Sequence, residues 1–341
     1  MSTATGFPGK DVQLRINVSF QEVSAYRDEK KILIITDENI FDLHREKLSQ
    51  YPCIRIGAGE ANKTQGTADN IIQEMLEMNI DKSWLIVGVG GGVVTDITGY
   101  VASVFKRGIS LALVPTTILA MTDAALGGKN GVNVGIYKNM VGTTYRPEFI
   151  LFDYSFLDTL PRAEWINGFA EIIKHACIKD TEMFSELEQH SVDHYITNRA
   201  ALRELVEKNI AIKTAVVAND EFETGERYQL NFGHTFGHAI ENLYGLPHGH
   251  AISIGMVMAA KISQAVSGLD ASSVQKIIKL LGQYHLPISL DTDPVSVLDA
   301  LKNDKKRAGD HINFVLLNRI GEASVKLLSF DRLRELLSQT A

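Results

Sequence analysis

Cysteine is scarce in this chain: Cys53 and Cys177 are the only two among 341 residues, and they lie far apart. No thiol-rich metal spacing exists and a disulfide scaffold is not expected, so any bound metal would take histidine and carboxylate ligands. Positive charge is also short. The formal net charge of −7 argues against nucleic acid or an anionic membrane as partner, because both require a basic face that neutralises phosphates. Long apolar runs are missing as well. None reaches the roughly 18 residues a membrane span needs, and the opening "MSTATGFPGKDVQ" has no apolar signal core. Neither secretion nor a membrane span is expected, and the expected location is the cytoplasm. Repeats, low-complexity tracts and proline-rich linkers are absent too. What is present, 45% hydrophobic and 22% charged residues, suffices for two ordinary globular domains.

The first half alternates short apolar runs with amphipathic stretches: "KILIITD", "TADNIIQEMLEMNI", "SWLIVGVGGG", "VVTDITGYVASVF" and "SLALVPTT". Strand, helix, strand, helix, strand predicts a parallel sheet with crossover helices. From about residue 155, segments of 3.6-residue period take over, among them "RAEWINGFAEIIKHACI", "NRAALRELVEKNIAIKTAVVA" and "HAISIGMVMAAKISQAVS". The expected class is α/β, with a Rossmann-like parallel-sheet nucleotide-binding domain at 1–155 and a mostly α-helical domain at 156–341. Near the end, "DHINFVLLNRIGEASVKLL" predicts a hairpin and "DRLRELLSQ" a closing helix. The segment before residue 32 is too weakly patterned to assign.

"GVGGGVVTD", residues 88–96, follows a predicted strand and opens a predicted helix, so its backbone amides suit a phosphate at a helix N-terminus. It departs from the dinucleotide fingerprint. Val93 stands where a third glycine is needed, and no acid ends a strand about twenty residues later. Two readings stay open: a nonstandard nucleotide loop, or a tight turn that needs positive φ. Asp37 and Asn39 follow the first strand, and Glu60 and Lys63 sit in "GEANK", at loops where ribose and phosphate contacts are expected.

"LNFGHTFGHAIENLYGLPHGHA", residues 230–251, holds four of the chain's ten histidines. His234 and His238 are four apart and share one helical face, which lets two imidazoles approach one cation. The Tyr-Gly-Leu-Pro break lets the chain return with a third ligand from the pair His248 and His250. A packed or surface histidine cluster is the alternative. In "FAEIIKHACI", Glu171 and Lys174 are three apart among apolar neighbours, which reads as a functional carboxylate or as a surface salt bridge. In "TDAALGGKNGVNVGIYKNMVG", Lys129, Lys138 and Asn139 stand on a glycine-rich loop suited to an anionic group.

In order along the chain, "GEANKT", "GGGVVTDITG", "VPTTILAMTDAALGGKNGVN", "KNMVG", "FAEIIKHA", "NFGHTFGHAIE", "HGHA" and "DKKRAG" resemble the 3-dehydroquinate synthase family of sugar phosphate cyclases, over about residues 35–325. The resemblance implies a shikimate-pathway enzyme that converts 3-deoxy-D-arabino-heptulosonate 7-phosphate to 3-dehydroquinate and phosphate, with NAD regenerated each turnover. It implies Zn²⁺, or Co²⁺ in its place, on Glu171, His234 and His248. It implies NAD contacts from Asp37, Asn39, Glu60, Lys63, Gly91, Gly92, Val93, Asp96, Thr116, Thr117 and Thr159, with Asp123, Lys129 and Lys138 bordering the same cofactor. Substrate contacts are implied for Asp123, Lys129, Lys138, Asn139, Lys174, Lys213, Arg227, Asn231 and His238, and for one or both of Lys305 and Lys306. Lys129, Lys138, Asn139, Lys174 and His238 are the implied catalytic groups. Arg107, in "FKRG", matches an arginine that reaches the neighbouring subunit's substrate, so a homodimer is expected. His250 stands where the family usually has glutamate, and Thr95 where it commonly has glycine. A natural-product sugar phosphate cyclase and a glycerol dehydrogenase-like metal-dependent alcohol dehydrogenase are the neighbouring readings.

Overall fold

The computed structural model describes residues 2–5, 12–135, 137–220, 223, 225–291, 297–298 and 307–340. Lys305 and Lys306 lie outside the described residues. The chain forms two compact units, one of Met1–Glu164 with Lys213–Ala218, the other of Trp165–Ile212 with Asn219–Ala341.

Unit 1 is built on a seven-stranded sheet of β1 (Ser2–Thr5), β2 (Val12–Ile16), β3 (Ile32–Asp37), β4 (Cys53–Ile56), β5 (Leu85–Gly90), β6 (Ser110–Pro115) and β9 (Phe149–Phe152). A separate hairpin pairs β7 (Lys129–Val134) with β8 (Tyr137–Thr144). The sheet order is β1-β2-β9-β6-β5-β3-β4, parallel throughout except for β1 against β2. β3 and β5 are buried almost end to end, as parallel strands covered on both faces must be. One face packs Ile32, Ile34, Val87, Val89, Val114 and Phe149 into a single apolar cluster. From β3 the chain goes to β4 on one side and then to β5 on the other, so the winding reverses between β3 and β5. The crevice beyond the carboxyl ends of those two strands is where such sheets take their ligands.

The helices of this unit are α1 (Glu38–Leu43), α2 (Arg45–Leu48), α3 (Gln65–Glu77) and α4 (Gly92–Val104). The glycines around α4 do not serve a left-handed turn: Gly88, Gly90, Gly91 and Gly92 are absent from the positive-φ positions. They let the helix approach the strand. A Cβ on Gly90 would come within 2.5 Å of Val94, and one on Gly88 within 2.8 Å of Thr98. The glycine-rich stretch 129–144, expected as a loop, is instead the β7–β8 hairpin. Gly142 allows its close pairing, since a Cβ there would lie 2.1 Å from the Asn130 carbonyl, and Gly135 turns it at φ +58°. β2 was not legible before residue 32; it gains its place by pairing with β9, more than a hundred residues away.

Unit 2 is mostly helical: α5 (Arg162–Lys179), α6 (Thr181–Gln189), α7 (Val192–Thr197), α8 (Arg199–Asn219) apart from its residues 213–218, α9 (His234–Tyr244), α10 (His248–Ser267) and α11 (Ala271–Gln283). A three-stranded sheet of β10 (Arg307–Ala308), β11 (His311–Arg319) and β12 (Glu322–Ser329) precedes a closing helix, Phe330–Thr340. Helix ends follow local chemistry. Asp180 caps α6 by accepting from the Met183 amide at 2.8 Å, and Gly245 and Gly268 end α9 and α10 in left-handed conformation. The α9 and α10 cores pack on the sheet through Phe236, Ile254, Ile262, Phe314 and Leu316. Among the described residues, no helix is long and apolar enough to cross a membrane.

Candidate functional site

In unit 1 the predicted cofactor residues gather at the strand ends. Asp37 closes β3 and caps α1, its carboxylate accepting from the Ile40 amide at 2.9 Å, and burial pushes its pKa up. Asn39 lies in the first turn of that helix. Gly91 precedes α4 with no side-chain cap, so the amides of Gly92 and Val93 form an uncapped helix N-terminus of the kind that takes phosphate. Thr95, where glycine is common in the family, returns its hydroxyl to the Gly92 carbonyl at 3.0 Å. Thr116 is buried with its amide on the Gly90 carbonyl at 3.0 Å, and Thr117 caps the next turn by accepting from the Ala120 amide at 3.1 Å. Thr159 pairs with His44 at 2.8 Å.

A second group ties the loop of Glu60 and Lys63 to α4 and to the hairpin. The buried Lys63 ammonium donates to Asp96 at 2.5 Å and to the Asn139 side-chain carbonyl at 2.6 Å. Burial raises the pKa of Asp96, and Lys63 opposes that shift. Glu60 accepts from Asn133 at 2.8 Å, and Asn133 in turn accepts from the Asn139 amide at 3.0 Å. Asn139 has φ +55°, a conformation asparagine tolerates better than most residues. Lys129 opens β7 and is exposed, while Lys138 is half-buried on β8. Asp123 sits in a π-helical turn, Ala120–Ala124, and accepts from Lys213 at 2.6 Å. π-helical turns recur at functional sites.

Arg107 lies beyond the helix that follows the glycine turn. It follows α4 in a short turn, Phe105–Arg107, and is exposed. Lys106, Arg107 and Gly108 all have positive φ, at 48°, 62° and 110°. Left-handed backbone is unfavourable for the first two, and such strain persists where the fold over-determines a position.

Unit 2 holds the metal-type residues. Glu171 and Lys174 are fully and almost fully buried on α5 and form an ion pair, so the surface salt bridge is excluded. Glu171, His234 and His248 place one ligand atom each within 4.8 Å of one another. The Nε2 of His248 lies 3.2 Å from the Glu171 Oε1, and the Nε2 of His234 lies 3.4 Å from the same oxygen. Proton placement makes this a cation site. His234 Nδ1 meets the Phe232 carbonyl at 3.2 Å and His248 Nδ1 meets the Glu241 carboxylate at 3.3 Å. Both partners only accept, so each Nδ1 takes a proton, and a ring that is otherwise neutral then turns its Nε2 lone pair toward the Glu171 oxygen. With both rings neutral, three acceptors converge, which a divalent cation satisfies. Burial disfavours a charged His248, but its hydrogen bonds to the Glu171 and Glu241 carboxylates outweigh it and push its pKa up to about 10. Without a cation, a proton takes that place.

His238 stands one turn after His234, its ring centroid 5.1 Å away and 6.2 Å from that of His248. His250 belongs to none of the metal-type groups among the described residues. Arg227 is buried on a 3₁₀ turn, Glu226–Asn231, whose start is held by Asp220 accepting from the Arg227 amide at 3.0 Å. Asn231 donates to the Tyr228 carbonyl at 3.2 Å and to Glu223. Sequence reasoning missed Glu241. It lies seven residues after His234 and three after His238, so helical spacing alone could have placed it on their face.

An uncapped helix end at a sheet's switch point and a converging Glu-His-His cluster define a nucleotide- and metal-dependent enzyme. Comparison narrows this further. The N-terminal domain of 3-dehydroquinate synthase matches residues 53–167, and its C-terminal domain matches residues 168–307. The 3-dehydroquinate synthase of Pyrococcus furiosus is 38% identical over 304 residues, 87% of this chain and 88% of that one. That of Campylobacter concisus is 39% identical, with 87% of each chain covered. The chain belongs to the 3-dehydroquinate synthase family. Among solved structures, 2-deoxy-scyllo-inosose synthase complexed with carbaglucose-6-phosphate, NAD⁺ and Co²⁺ is similar at TM-score 0.87 and 25% identity, over 99% of this chain and 100% of that one. The 2-epi-5-epi-valiolone synthase ValA of Streptomyces hygroscopicus, with NAD⁺ and Zn²⁺ bound, gives TM-score 0.87 and 27% identity over 99% and 98%. A probable glycerol dehydrogenase of Sinorhizobium meliloti shares the fold at TM-score 0.62 and 17% identity, over 89% of this chain and 92% of that one.

Proposed function

We propose that this chain converts 3-deoxy-D-arabino-heptulosonate 7-phosphate to 3-dehydroquinate and phosphate, using NAD and a divalent metal ion, Zn²⁺ or Co²⁺. The observation that carries the reading is the convergence of Glu171, His234 and His248 on one point, in a chain of that family. When bound, the metal supplies a Lewis acid and NAD supplies a hydride acceptor that is restored within the turnover. The amides of Gly92 and Val93 would hold the cofactor's pyrophosphate, and Asp37 and Asn39 would hold its ribose. The Arg227 guanidinium takes the substrate carboxylate through two parallel hydrogen bonds. Lys129 and Lys138 offset the charge of the substrate phosphate, and Asn139 fixes its orientation. The buried Lys174 ammonium holds positive charge beside Glu171, and the His238 imidazole holds or moves a proton on the substrate. The cations invoked, on a chain of net charge −7, answer the substrate's two anionic groups. The reading includes a cytoplasmic homodimer with no nucleic-acid or membrane partner, in which Arg107 serves the partner's substrate.

The test is phosphate release, with NAD and Zn²⁺ present, from 3-deoxy-D-arabino-heptulosonate 7-phosphate, sedoheptulose 7-phosphate and glucose 6-phosphate side by side. The acid substrate is expected to turn over far faster, without net NADH. Comparable turnover of either sugar lacking the carboxylate would assign the chain to the natural-product cyclases. Steady NADH accumulation with a simple polyol would assign it to the alcohol dehydrogenases.

A further inference from the structure

We infer that Glu241 is a positioning residue of the metal centre, holding the His248 imidazole in the tautomer and orientation that present its Nε2 to the cation. The inference rests on the reading that Glu171, His234 and His248 bind the metal. Glu241 is 6% exposed, on the last turn of α9, among apolar residues that include the fully buried Ile240. A carboxylate in such surroundings is costly unless it is paired. Its Oε2 lies 3.3 Å from His248 Nδ1, while His248 Nε2 faces Glu171 on the opposite side of the ring. The carboxylate accepts the Nδ1 proton, so the lone pair falls on Nε2. The same device serves His234 through the Phe232 carbonyl.

The two supports differ in charge, and the difference matches exposure. The His234 side chain is 11% exposed and its packing restrains the ring, so a neutral carbonyl suffices. The His248 side chain is 31% exposed and sits in the first turn of α10, where a ring that depended on packing alone would be free to rotate. A charged acceptor binds the Nδ1 proton more strongly than a carbonyl and makes the Nε2 a better donor to a metal. Gly245, whose amide bonds to the Glu241 carbonyl at 2.9 Å, ends α9 at this turn.

The experiment measures Co²⁺ affinity by chelator competition, together with the visible absorption of the bound Co²⁺, for wild type, Glu241→Gln, Glu241→Ala and His234→Ala. Thermal melts of the metal-free proteins and NAD binding serve as controls for folding. Removal of such a partner costs about ten- to a hundredfold in metal affinity. Glu241→Ala is therefore expected to lose that much and to shift the Co²⁺ absorption. Glu241→Gln, whose neutral amide oxygen still accepts from Nδ1, is expected to lose clearly less affinity than Glu241→Ala and to keep the wild-type band positions. A folded Glu241→Ala protein with wild-type affinity and spectrum would overturn the inference, as would equal losses in Gln and Ala variants. If His234→Ala also binds Co²⁺ like wild type, the ligand reading itself fails. If His234→Ala loses the metal while Glu241→Ala keeps it, only the role of Glu241 fails.

Discussion

Lys213 makes two hydrogen bonds to one residue: its Nζ lies 2.6 Å from the Asp123 Oδ1 and 2.6 Å from the Asp123 backbone carbonyl. Lys213 is 7% exposed, so both bonds are made where water competes poorly. Lys213→Met removes them and releases the π-helical turn that carries Asp123. Hydrogen bonds to charged groups contribute about 1.5–3 kcal/mol, so kcat/KM should fall roughly ten- to a hundredfold while metal content stays unchanged. Steady-state kinetics paired with metal analysis checks both parts.

Chelation should abolish activity, and added Zn²⁺ or Co²⁺ should restore it. His234→Ala and His248→Ala are expected to empty the site, because each removes one of three converging acceptors. His250→Ala should retain full metal. Metal content after gel filtration distinguishes the two neighbours in "HGHA", and retention by His248→Ala with loss by His250→Ala would reverse the assignment.

The proposed homodimer, in which Arg107 serves the partner's substrate, predicts complementation between subunits. Arg107→Ala and Lys174→Ala chains should each be inactive alone. Mixed under confirmed subunit exchange, they should regain part of the activity, because one of the two sites in a mixed dimer has an intact Lys174 and faces an intact Arg107. Absence of recovery counts against the action of Arg107 across the dimer.

Asp153 predicts an acid limit to stability. Burial raises its pKa, but hydrogen bonds from Ser155 and the Phe20 amide, with the charge of Lys47, prevail and hold it below the usual carboxylate range. A carboxylate depressed on folding stabilises the native state above its unfolded pKa, and that contribution is lost as pH falls through the folded value. Asp153→Asn should therefore be less stable than wild type near neutrality, with the gap narrowing below about pH 4. Urea melts across that range give the comparison, and a gap that widens toward acid would refute it.

Much of this architecture could be read from residue order. The alternation of "KILIITD" and "SWLIVGVGGG" with amphipathic segments foretells β3, β5 and their helices, because local periodicity and burial agree there. The helices from Arg162 onward were legible for the same reason. β2 was not: "VQLRI" is short and polar-interrupted, and its partner β9 lies far along the chain. The β7–β8 hairpin was hidden because glycines that permit close strand approach look, in sequence, like glycines of a loop. In the site, spacing brought His234 and His238 to one face, yet only geometry showed the acceptors that the Nδ1 atoms of His234 and His248 face.

The close docking of α4 on β5 also decides where this chain can be made more heat-resistant. Replacing glycine by alanine gains roughly 0.4–1 kcal/mol where the backbone already suits alanine. That route is closed at Gly88, Gly90, Gly99 and Gly142, where an added methyl would meet an atom at 2.8, 2.5, 1.8 and 2.1 Å. It is open at Gly282, near the end of α11, where nothing lies within 4 Å and φ is not positive. Gly282→Ala should raise the melting temperature and leave turnover untouched, whereas Gly90→Ala should lower it and weaken NAD binding. Protein engineering would thus divide the glycines of this chain into those that hold a helix against its strand and those that only leave a helix end loose.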